Sequence, residues 1–459
     1  MRSLLSLLLF PLVAPAAELL VGAAQVDITP EKGTPMAGYY SLRAAEGMHD
    51  PLFVRALVIE QDGTRAVLVA LDLIHTTFGM TAESRKLIEA ETKIPGANVM
   101  LFASHAHTGP TLAEGGTYAA ATGGGNKLAK EYMAGLPKKI AAAVAKADAA
   151  KKPAKVVRGI GKEEGLAFNR RFHMTDGTVG WNPGKLNPKI LKPAGPVDSA
   201  VQVVQFVTAD KEAKVIATYV NFSMHADTVG GLHFSADYMG VIAEALAKVH
   251  GEQAVTLFGL GCCGDVNHIN VNSGKPQKGH AEASRIGGRL AGEVLRVLDN
   301  SQPVEVGSLV VTTATVNLDL PSVTDEELDF AKGIVKEVLA ETKPAPKFLD
   351  QVQAFKAVDV RERLGKPIGS EVQVISLGGE LAWVSLPGEI FTDLGLQIKD
   401  GSPFKQTMIN ELANGSVGYV PTKLAYSQGN YEVISARVAE GSGEKLVAEA
   451  AKQLRARNR

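Results

Sequence analysis

The sequence predicts an α/β protein in which mixed β-sheets are flanked by α-helices. Three observations support this fold class. Apolar, β-rich runs alternate with helical patterns along the chain. Three pairs of β-rich runs are joined by short turns, which indicates hairpins. Several apolar strands also end in a short polar cluster, and ligand sites in open α/β sheets gather at the carboxyl ends of strands.

The strand signals are clearest in the three hairpins. The first covers residues 55–73 and turns at Gln61, Asp62, Gly63 and Thr64, which is a favourable hairpin connection. The second covers residues 201–225 and the third residues 370–391. Two further apolar runs, residues 98–103 and 254–260, read as buried strands.

The helical signals lie between these strands. We expect a helix from Thr81 to residue 93 with Glu83 in its first turn, and a long Ala/Lys helix that is interrupted near Pro137. A capping box of Thr324 with Glu327 begins another helix. Other helices are expected at residues 238–251, 285–300 and 444–456, and residues 185–196 are expected to form a surface loop.

Composition and charge narrow the class of protein. A hydrophobic content of 45% is ample for a large core, although 459 residues alone would suggest about two to four domains. The formal net charge of -1 provides no basic field, so we expect no nucleic-acid partner and no attraction to an anionic membrane surface. No segment is apolar for long enough to be a transmembrane helix.

The N-terminus has the layout of a secretory signal peptide. A single Arg precedes an apolar run from Leu4 to Val13, and Ala14-Pro15-Ala16 supplies a small-residue cleavage site. We expect a signal peptide at residues 1–17, cleaved after Ala16 or Ala17. The mature chain, residues 18–459, is then a single exported domain in the periplasm or outside the cell; the alternative is a buried first helix.

The two cysteines of the chain, Cys262 and Cys263, are adjacent. Exported proteins usually pair their cysteines across a loop, but a bond between neighbours is strained and cannot staple a fold. We therefore expect free, partly buried thiols in a tight turn, with a vicinal redox disulfide as the alternative.

Four residues at strand ends are candidate metal ligands or their neighbours. His105 and His107 are two apart, so on an extended segment both imidazoles would point to one face. His225 and Glu389 follow two other strands, and zinc takes imidazole and carboxylate ligands. The alternatives are a solvated histidine pair and, for Glu389, an acid at a helix N-terminus. The remaining histidines considered show no such convergence: His49, His75, His173, His233 and His280.

An ordered set of short motifs resembles the catalytic domain of the neutral/alkaline non-lysosomal ceramidase family. The motifs extend from about Gly22 to about Glu432 and are, in order, GAAQVDITP, MAGYY, GMHDPLFVRALVIE, LFASHAHTGP, FNRR, VNFSMHADT, FSADYMG, GCCGDVN, LPGE and NGSVGYVPT with YSQGNYE. The resemblance implies a neutral-ceramidase-like catalytic domain of β-sheets flanked by helices. It also implies a zinc ion in an amidase site that splits N-acylsphingosine.

The resemblance implies a role for each matching residue. The implied zinc ligands are His105, His225, Glu389 and Tyr419. His107 would orient groups or exchange protons at the site. A phenol ligand such as Tyr419 is unusual, but a nearby Zn²⁺ can lower its pKa.

Further residues are implied around the substrate. Arg170 would lie near the substrate carbonyl, and Tyr431 would be a second tyrosine at the site, with Tyr426 as its rival. Asp265, like His107, is a candidate proton acceptor.

Two features depart from the family pattern. The proposed nucleophile of the family is a serine in Gly-Asp-Val-Ser-Pro-Asn, and here that position is Asn267. An amide cannot attack a carbonyl as an alkoxide does, so we expect Asn267 to hydrogen-bond the substrate or the attacking water. We also expect no immunoglobulin-like domain after the catalytic domain.

These features predict a zinc-dependent hydrolase that cleaves an amide bond of a small or lipid-like N-acyl substrate with metal-activated water. A zinc hydrolase with another ester, amide or glycan substrate is a second hypothesis. A non-catalytic, metal-holding binding protein is the third, favoured by Asn267 and disfavoured by the retained ligand positions.

Overall fold

The structure is a computed structural model that describes residues 18–112 and 116–457. The expected signal peptide, residues 1–17, and its expected cleavage after Ala16 or Ala17 lie outside the described residues. Among the described helices, none combines the length and the apolar character that a bilayer crossing requires.

Strands make up the centre of the molecule. In chain order they are β1 (Leu20–Asp27), β2 (Gly47–Met48), β3 (Phe53–Gln61), β4 (Thr64–Leu71), β5 (Val99–Ala103), β6 (Lys152–Lys162), β7 (Phe168–Asn169), β8 (Arg171–Met174), β9 (Val179–Trp181), β10 (Ile190–Pro193), β11 (Ala200–Thr208), β12 (Val215–Phe222), β13 (His233–Phe234), β14 (Val255–Leu260), β15 (Val266–Asn267), β16 (Gln302–Pro303), β17 (Leu309–Leu318), β18 (Ile368–Leu377), β19 (Leu381–Ser385), β20 (Glu389–Ile390), β21 (Gln406–Asn410) and β22 (Tyr419–Val420).

Helices flank these strands. They are α1 (Phe78–Thr92), α2 (Gly116–Thr122), α3 (Lys127–Ala149), α4 (Asp237–His250), α5 (His280–Asp299), α6 (Asp325–Leu339), α7 (Phe348–Glu362), α8 (Thr392–Asp400), α9 (Lys423–Gln428), α10 (Tyr431–Ser435) and α11 (Ser442–Arg457). A single 3-10 turn covers Gly96–Asn98.

The larger sheet has nine strands in the order β14-β12-β11-β6-β1-β3-β4-β5, with β16 also paired to β6. Its β4/β5 and β12/β14 pairs are parallel, and its other pairs are antiparallel. The terminal strands β5 and β14 contact each other, so the sheet curls until its two edges meet. This brings the carboxyl ends of β5, β12 and β14 to one region of the molecule.

A second sheet of four strands, β17-β18-β19-β21, packs on the larger one. Strand β3 illustrates why a strand between two cores lacks the usual alternation of apolar and polar residues. Val54 and Val58 face the core under the helices, whereas Leu57 and Ile59 face a second core between the two sheets. Because both faces are buried, nearly every position must be apolar. The large side chains that fill the second core are Phe102, Tyr219, Trp383 and Met408.

The mixed α/β fold class and all three hairpins are confirmed. The pairs β3/β4, β11/β12 and β18/β19 are antiparallel neighbours. The capping box of Thr324 with Glu327 is also present at the start of α6.

Several predicted boundaries were wrong. Helix α1 begins at Phe78, because the Thr77 side chain caps it by accepting from the Met80 N–H. Helix α3 runs through Pro137 without interruption, since its buried face packs on β1 and β3 and outweighs one lost backbone bond. Helix α5 begins at His280, and the surface segment 185–196 contains the short strand β10.

Helices α6 and α7 form a hairpin beside the carboxyl ends of the strands. Its core is small and includes Val335 and Phe355. Phe355 is fully buried, and its ring lies 6.0 Å from that of Tyr40 and 5.8 Å from that of Tyr118. Both tyrosines also line the cavity described below, so this aromatic contact ties the hairpin to the wall of that cavity.

We predict that Phe355→Ala loosens this hairpin more than the rest of the fold. Removing a buried aromatic ring costs about 3–5 kcal/mol, and the small α6–α7 core has few other contacts to compensate. Hydrogen exchange should rise across residues 325–362 while β3 and β4 stay protected. Phe355→Leu is the control and should lose much less protection. Uniform loss of protection in the alanine variant would contradict a locally stabilised hairpin.

Candidate active site

Three histidines and one glutamate converge where the strands end. His105 follows β5, His225 follows β12, and Glu389 begins β20, shortly after β19. The Glu389 Oε2 atom lies 3.4 Å from His105 Nε2 and 3.3 Å from His225 Nε2. His107 Nε2 lies 3.2 Å from His105 Nε2. The Glu389 Oε2 atom is buried and accepts no hydrogen bond from the described residues.

The backbone fixes the tautomer of all three imidazoles when their rings are neutral. His105 Nδ1 lies 2.7 Å from the Ile74 carbonyl oxygen, and His225 Nδ1 lies 2.9 Å from that of Cys263. His107 Nδ1 lies 3.0 Å from the Gly38 carbonyl oxygen. A carbonyl oxygen only accepts, so each Nδ1 carries the proton and each neutral ring presents an Nε2 lone pair to its neighbours.

A cation resolves the conflict that this arrangement creates. Facing lone pairs and a carboxylate oxygen repel each other unless a positive charge lies among them. Two ligands of a tetrahedral zinc, each at about 2.1 Å, are separated by about 3.4 Å, and the contacts above span 3.2–3.4 Å. His105, His107 and His225 meet the geometric requirement for a shared metal. The donor set therefore fits a zinc ion.

His105 reaches the cluster by a different route from the one the sequence suggested. The prediction that His105 and His107 lie on an extended segment was wrong, because His105 has a φ of 65° and lies in a turn after β5. A left-handed residue other than glycine is strained by roughly 1–3 kcal/mol. The turn is held by the His105 N–H, which donates to the Leu73 carbonyl, and it aims both imidazoles at the same point.

Glu389 and Tyr419 are neighbours because their strands are paired in register. Strands β20 and β22 run parallel, with Glu389 opposite Tyr419. Glu389 is therefore not an acid at a helix N-terminus, since helix α8 begins only at Thr392. Gly264 packs so closely on this segment that a Cβ at its position would lie 2.5 Å from the Glu389 carbonyl oxygen. Burial raises the pKa of the Tyr419 phenol well above 10, so the hydroxyl keeps its proton.

Arg170 contacts the cluster but does not line the cavity. It donates from Nη2 to Tyr419 Oη at 3.0 Å and from Nε to Glu432 at 2.8 Å, and its Nη1 lies 3.3 Å from His225 Nε2. Glu432 is fully buried and also accepts from Arg171 at 2.7 Å. Most of its donors are occupied and it does not line the cavity, so Tyr419 lies between Arg170 and the cavity.

A cavity of about 280 Å³ opens from solvent onto this cluster. His105, His107, Glu389 and Tyr419 line its inner part, together with Tyr431. The sequence left His75 as an ordinary histidine, but the structure places it in this lining, where burial lowers its pKa to about 4. Further lining residues include Tyr40, Tyr118, Asp359, Arg363 and Arg437.

Tyr431 and its rival Tyr426 have different surroundings. Tyr431 stacks on Trp181, with ring centroids 4.4 Å apart, and makes an edge contact with Tyr419 at 5.4 Å. The Tyr426 hydroxyl instead donates to the Val438 carbonyl oxygen at 2.6 Å, and Tyr426 is not among the cavity-lining residues. The structure therefore brings Tyr431 to the site and leaves Tyr426 in a packing role.

Asp265 and Asn267 are not brought to the cavity. The Asp265 carboxylate accepts from Asn169 Nδ2 at 2.7 Å and from the Thr392 N–H at 2.8 Å. The Asn267 amide accepts from the Ile269 N–H at 2.9 Å and donates to Asn182 at 3.2 Å. Both side chains therefore hydrogen-bond loops that do not line the cavity. The position of Asn267 does not support its expected contact with substrate or water.

The cysteines are free, as predicted, but they are fully rather than partly buried. Cys263 is held by Glu411, which sequence reasoning missed because a single acid near a strand end gives no pattern. Glu411 accepts from the Cys263 thiol at 3.0 Å, from the Cys263 N–H at 3.2 Å and from the Ile390 N–H at 2.8 Å. Burial raises the pKa of the Cys263 thiol well above 9, which makes it a poor nucleophile.

A second histidine group, His49 and His280 with Asp50, lies elsewhere on the protein. Its two imidazole rings are stacked, with centroids 3.5 Å apart and planes at 13°. Two imidazoles that share a tetrahedral zinc have centroids roughly 5 Å apart, and those of His105 with His107 or His225 are 4.6 Å apart. Ring geometry therefore favours the cluster at the strand ends over this stacked pair.

Comparisons with known proteins agree with the fold. The model of the family described as neutral/alkaline non-lysosomal ceramidase, N-terminal, matches residues 19–279. A neutral ceramidase from Pseudomonas aeruginosa is similar with a TM-score of 0.74 at 21% identity, over 95% of this chain and 74% of that one. A structure described as ceramidase complexed with C2 has a TM-score of 0.75 at 20% identity, over 96% and 76%. No curated protein matches. At these identities the structural likeness shows the fold alone.

We predict that Glu411 controls metal affinity without touching the metal. It ties the loop whose carbonyl orients His225 to the strand that carries Glu389, so Glu411→Ala should weaken zinc binding about 10–100-fold. Zinc affinity is measured by competition with a chelator, and thermal unfolding of the metal-free protein is measured alongside. Glu380→Ala is the control, because Glu380 is also buried, at 6% exposure, but bonds Arg158 and Lys405 instead. Equal loss of zinc affinity in both variants would reduce Glu411 to a general packing role.

Proposed function

Because the chain belongs to the neutral/alkaline non-lysosomal ceramidase family, we propose that it is an exported, zinc-dependent hydrolase that cleaves an N-acyl amide bond. Residues 18–459 would form its single catalytic domain, and the signal-peptide pattern of residues 1–17 supports export. The observation that carries the proposal is the convergence of three imidazole Nε2 atoms and one unpartnered carboxylate oxygen in an open cavity.

The proposed zinc ligands are His105, His225, Glu389 and Tyr419, and His107 completes the cluster beside them. A zinc ion bound there would polarise the scissile carbonyl and lower the pKa of a water molecule. The remaining chemistry belongs to the side chains of the chain itself, which orient the substrate, move the proton and stabilise developing charge.

His107 is the proposed proton acceptor. Burial and the neighbouring His105 lower the pKa of His107 well below 6.5, so its ring is neutral and its Nε2 lone pair is available at neutral pH. Its Nδ1 proton is fixed on the Gly38 carbonyl, so a proton gained at Nε2 can pass directly to the departing amine. Asp265, the other candidate, is occupied by Asn169 and Thr392.

Tyr431 is the proposed hydrogen-bond donor to an oxyanion. Tyr419, as a zinc ligand, would hold its oxygen at the metal, where the same oxygen accepts a hydrogen bond from Arg170. Tyr431 lines the same cavity beside it. Asn267 supplies no hydroxyl for a covalent route, and the cysteine thiols are buried and protonated. This supports direct attack of water on the carbonyl rather than an acyl-enzyme.

The proposed activity is tested with a panel of fluorogenic N-acyl amides and the corresponding esters, each with and without a chelator. Turnover of amides that chelation abolishes and added zinc restores would support the proposal. A preference for the esters would favour the second hypothesis, that of another substrate class. The absence of any turnover by zinc-loaded protein would favour a metal-holding binding protein.

We predict that His105→Ala removes zinc as well as activity. His105 lies between Glu389 and His107, so its loss takes away the central nitrogen of the cluster. Elemental analysis of purified protein should give about one zinc per wild-type chain and much less for the variant. His75→Ala, which alters the same cavity outside the cluster, is the control and should keep its zinc. A His105→Ala protein with a full zinc complement would rule out the assignment.

His107→Gln separates the role of a base from that of a ligand. We expect it to keep its zinc and to lose kcat by about 10²–10⁴-fold, the usual contribution of a positioned acid–base group. Zinc content and kcat are measured on the same preparation. Loss of zinc in parallel with kcat would instead make His107 a metal ligand, as its 3.2 Å approach to His105 also permits.

A further inference from the structure

The cavity at the cluster is small for a lipid site. Its volume is about 280 Å³, and ligand pockets for drug-sized molecules start at about 300 Å³. An apolar cavity of about 150 Å³ holds one benzene, or about 25 Å³ for each heavy atom. At that density the cavity itself holds about eleven heavy atoms, which is an amide with one short substituent, and the rest of a longer substrate would lie outside it.

Beside the histidine and glutamate cluster, the cavity lining has a buried apolar part and an exposed charged part. Ile74 and Leu412 are buried, whereas Arg363 in the same lining is exposed. Arg437 and Asp359 pair with each other in the same lining, with Nη2 and Oδ2 2.6 Å apart. An apolar acyl group therefore fits the buried part, and a polar amine fits the exposed charged part.

A second cavity shares one described lining residue with this one. An apolar cavity of about 290 Å³ lies between α1 and α3 and is lined by Met80, Met133, Leu136 and Pro137, among others. Among the described residues, only Leu112 lines both cavities. Leu112 is 3% exposed, and the backbone before it is fixed, because the Thr111 N–H donates to the Pro35 carbonyl oxygen at 2.9 Å. The buried Leu112 side chain is therefore held in place in the lining of both cavities.

We propose that the enzyme takes short-chain N-acyl amines and that Leu112 sets the upper limit of acyl length. The proposal rests on the hydrolase function argued above, and it adds the substrate class and the residue that determines it. A long acyl chain would have to displace Leu112 or leave its outer carbons in water. Each apolar methylene left in water forfeits about 0.8 kcal/mol, which is roughly fourfold in kcat/KM.

The test is an acyl series on one polar amine: acetyl, butyryl, octanoyl, dodecanoyl and palmitoyl amides, with amine release measured on the zinc-loaded full chain. We expect kcat/KM to reach its maximum at or below octanoyl and not to rise further at dodecanoyl or palmitoyl, because methylenes that stay in water add no binding free energy. Leu112→Ala removes the side chain that lines both cavities, and we expect the two to connect. The ratio of kcat/KM for dodecanoyl to that for acetyl should then rise at least about tenfold.

Leu136→Ala is the matched control. Leu136 is also a buried leucine, but it lines the second cavity without lining the catalytic one. The variant carries a comparable core defect and leaves Leu112 in place, so its chain-length profile should stay that of the wild type. A wild-type profile that rises to palmitoyl, or an equal shift in both variants, would overturn the proposal.

Binding of the product acids tests the acyl-length limit separately from the hydrolase function. Calorimetric titration with the carboxylic acids of the same series reports chain length without turnover. Preferential binding of short acids, with relief in Leu112→Ala but not in Leu136→Ala, supports the size limit even if no amide is cleaved, in which case only the hydrolase function fails. Tightest binding of the palmitoyl acid to the wild type would overturn the size limit directly.

Discussion

The structure depends on one electrostatic constraint, the meeting of several electron pairs at a single buried point. Three backbone carbonyls hold the Nδ1 protons of His105, His107 and His225, so three Nε2 lone pairs face each other and Glu389. Without a cation this arrangement is repulsive. The curled sheet, the parallel pair β20/β22 and the buried Arg170 bring these groups together against that repulsion. These groups are the donor set for the zinc ion that we propose.

Sequence reasoning predicted the parts of this site that local chemistry determines. Apolar runs gave the strands, and polar residues after them gave His105, His225 and Glu389, while the motif resemblance added Tyr419 and Arg170. It failed where the backbone deviates or where partners are distant in sequence. The φ of 65° at His105 was missed because left-handed residues other than glycine are uncommon, and the modest enrichment of histidine there does not mark one position. The contact of Glu411 with Cys263 spans about 150 positions and depends on the packing of β21 against β14.

The replacement of a serine by Asn267 has a structural meaning that the sequence alone did not give. The Asn267 amide closes a turn on the Ile269 N–H and joins Asn182. A loop that would present a nucleophile is here part of the support behind the metal ligands. Arg170 is also set back from the cavity: it hydrogen-bonds Tyr419, which lines the cavity, but it does not line the cavity itself. Residues shared with the family motifs therefore do not all keep direct contact with a substrate.

The same constraint couples the metal to the stability of the fold. Glu389 is 14% exposed, its Oε2 atom has no hydrogen-bond partner among the described residues, and the flanking imidazoles offer no proton to it when neutral. In the metal-free protein this carboxylate is relieved only if a neighbouring histidine is protonated, and burial opposes that by lowering the pKa of His107 and His225. A zinc ion bound by these residues would remove both penalties at once. Because the unfolded chain presents no such preformed site, much of the binding free energy would appear as resistance to unfolding. The same free energy would offset the strain of the left-handed turn at His105.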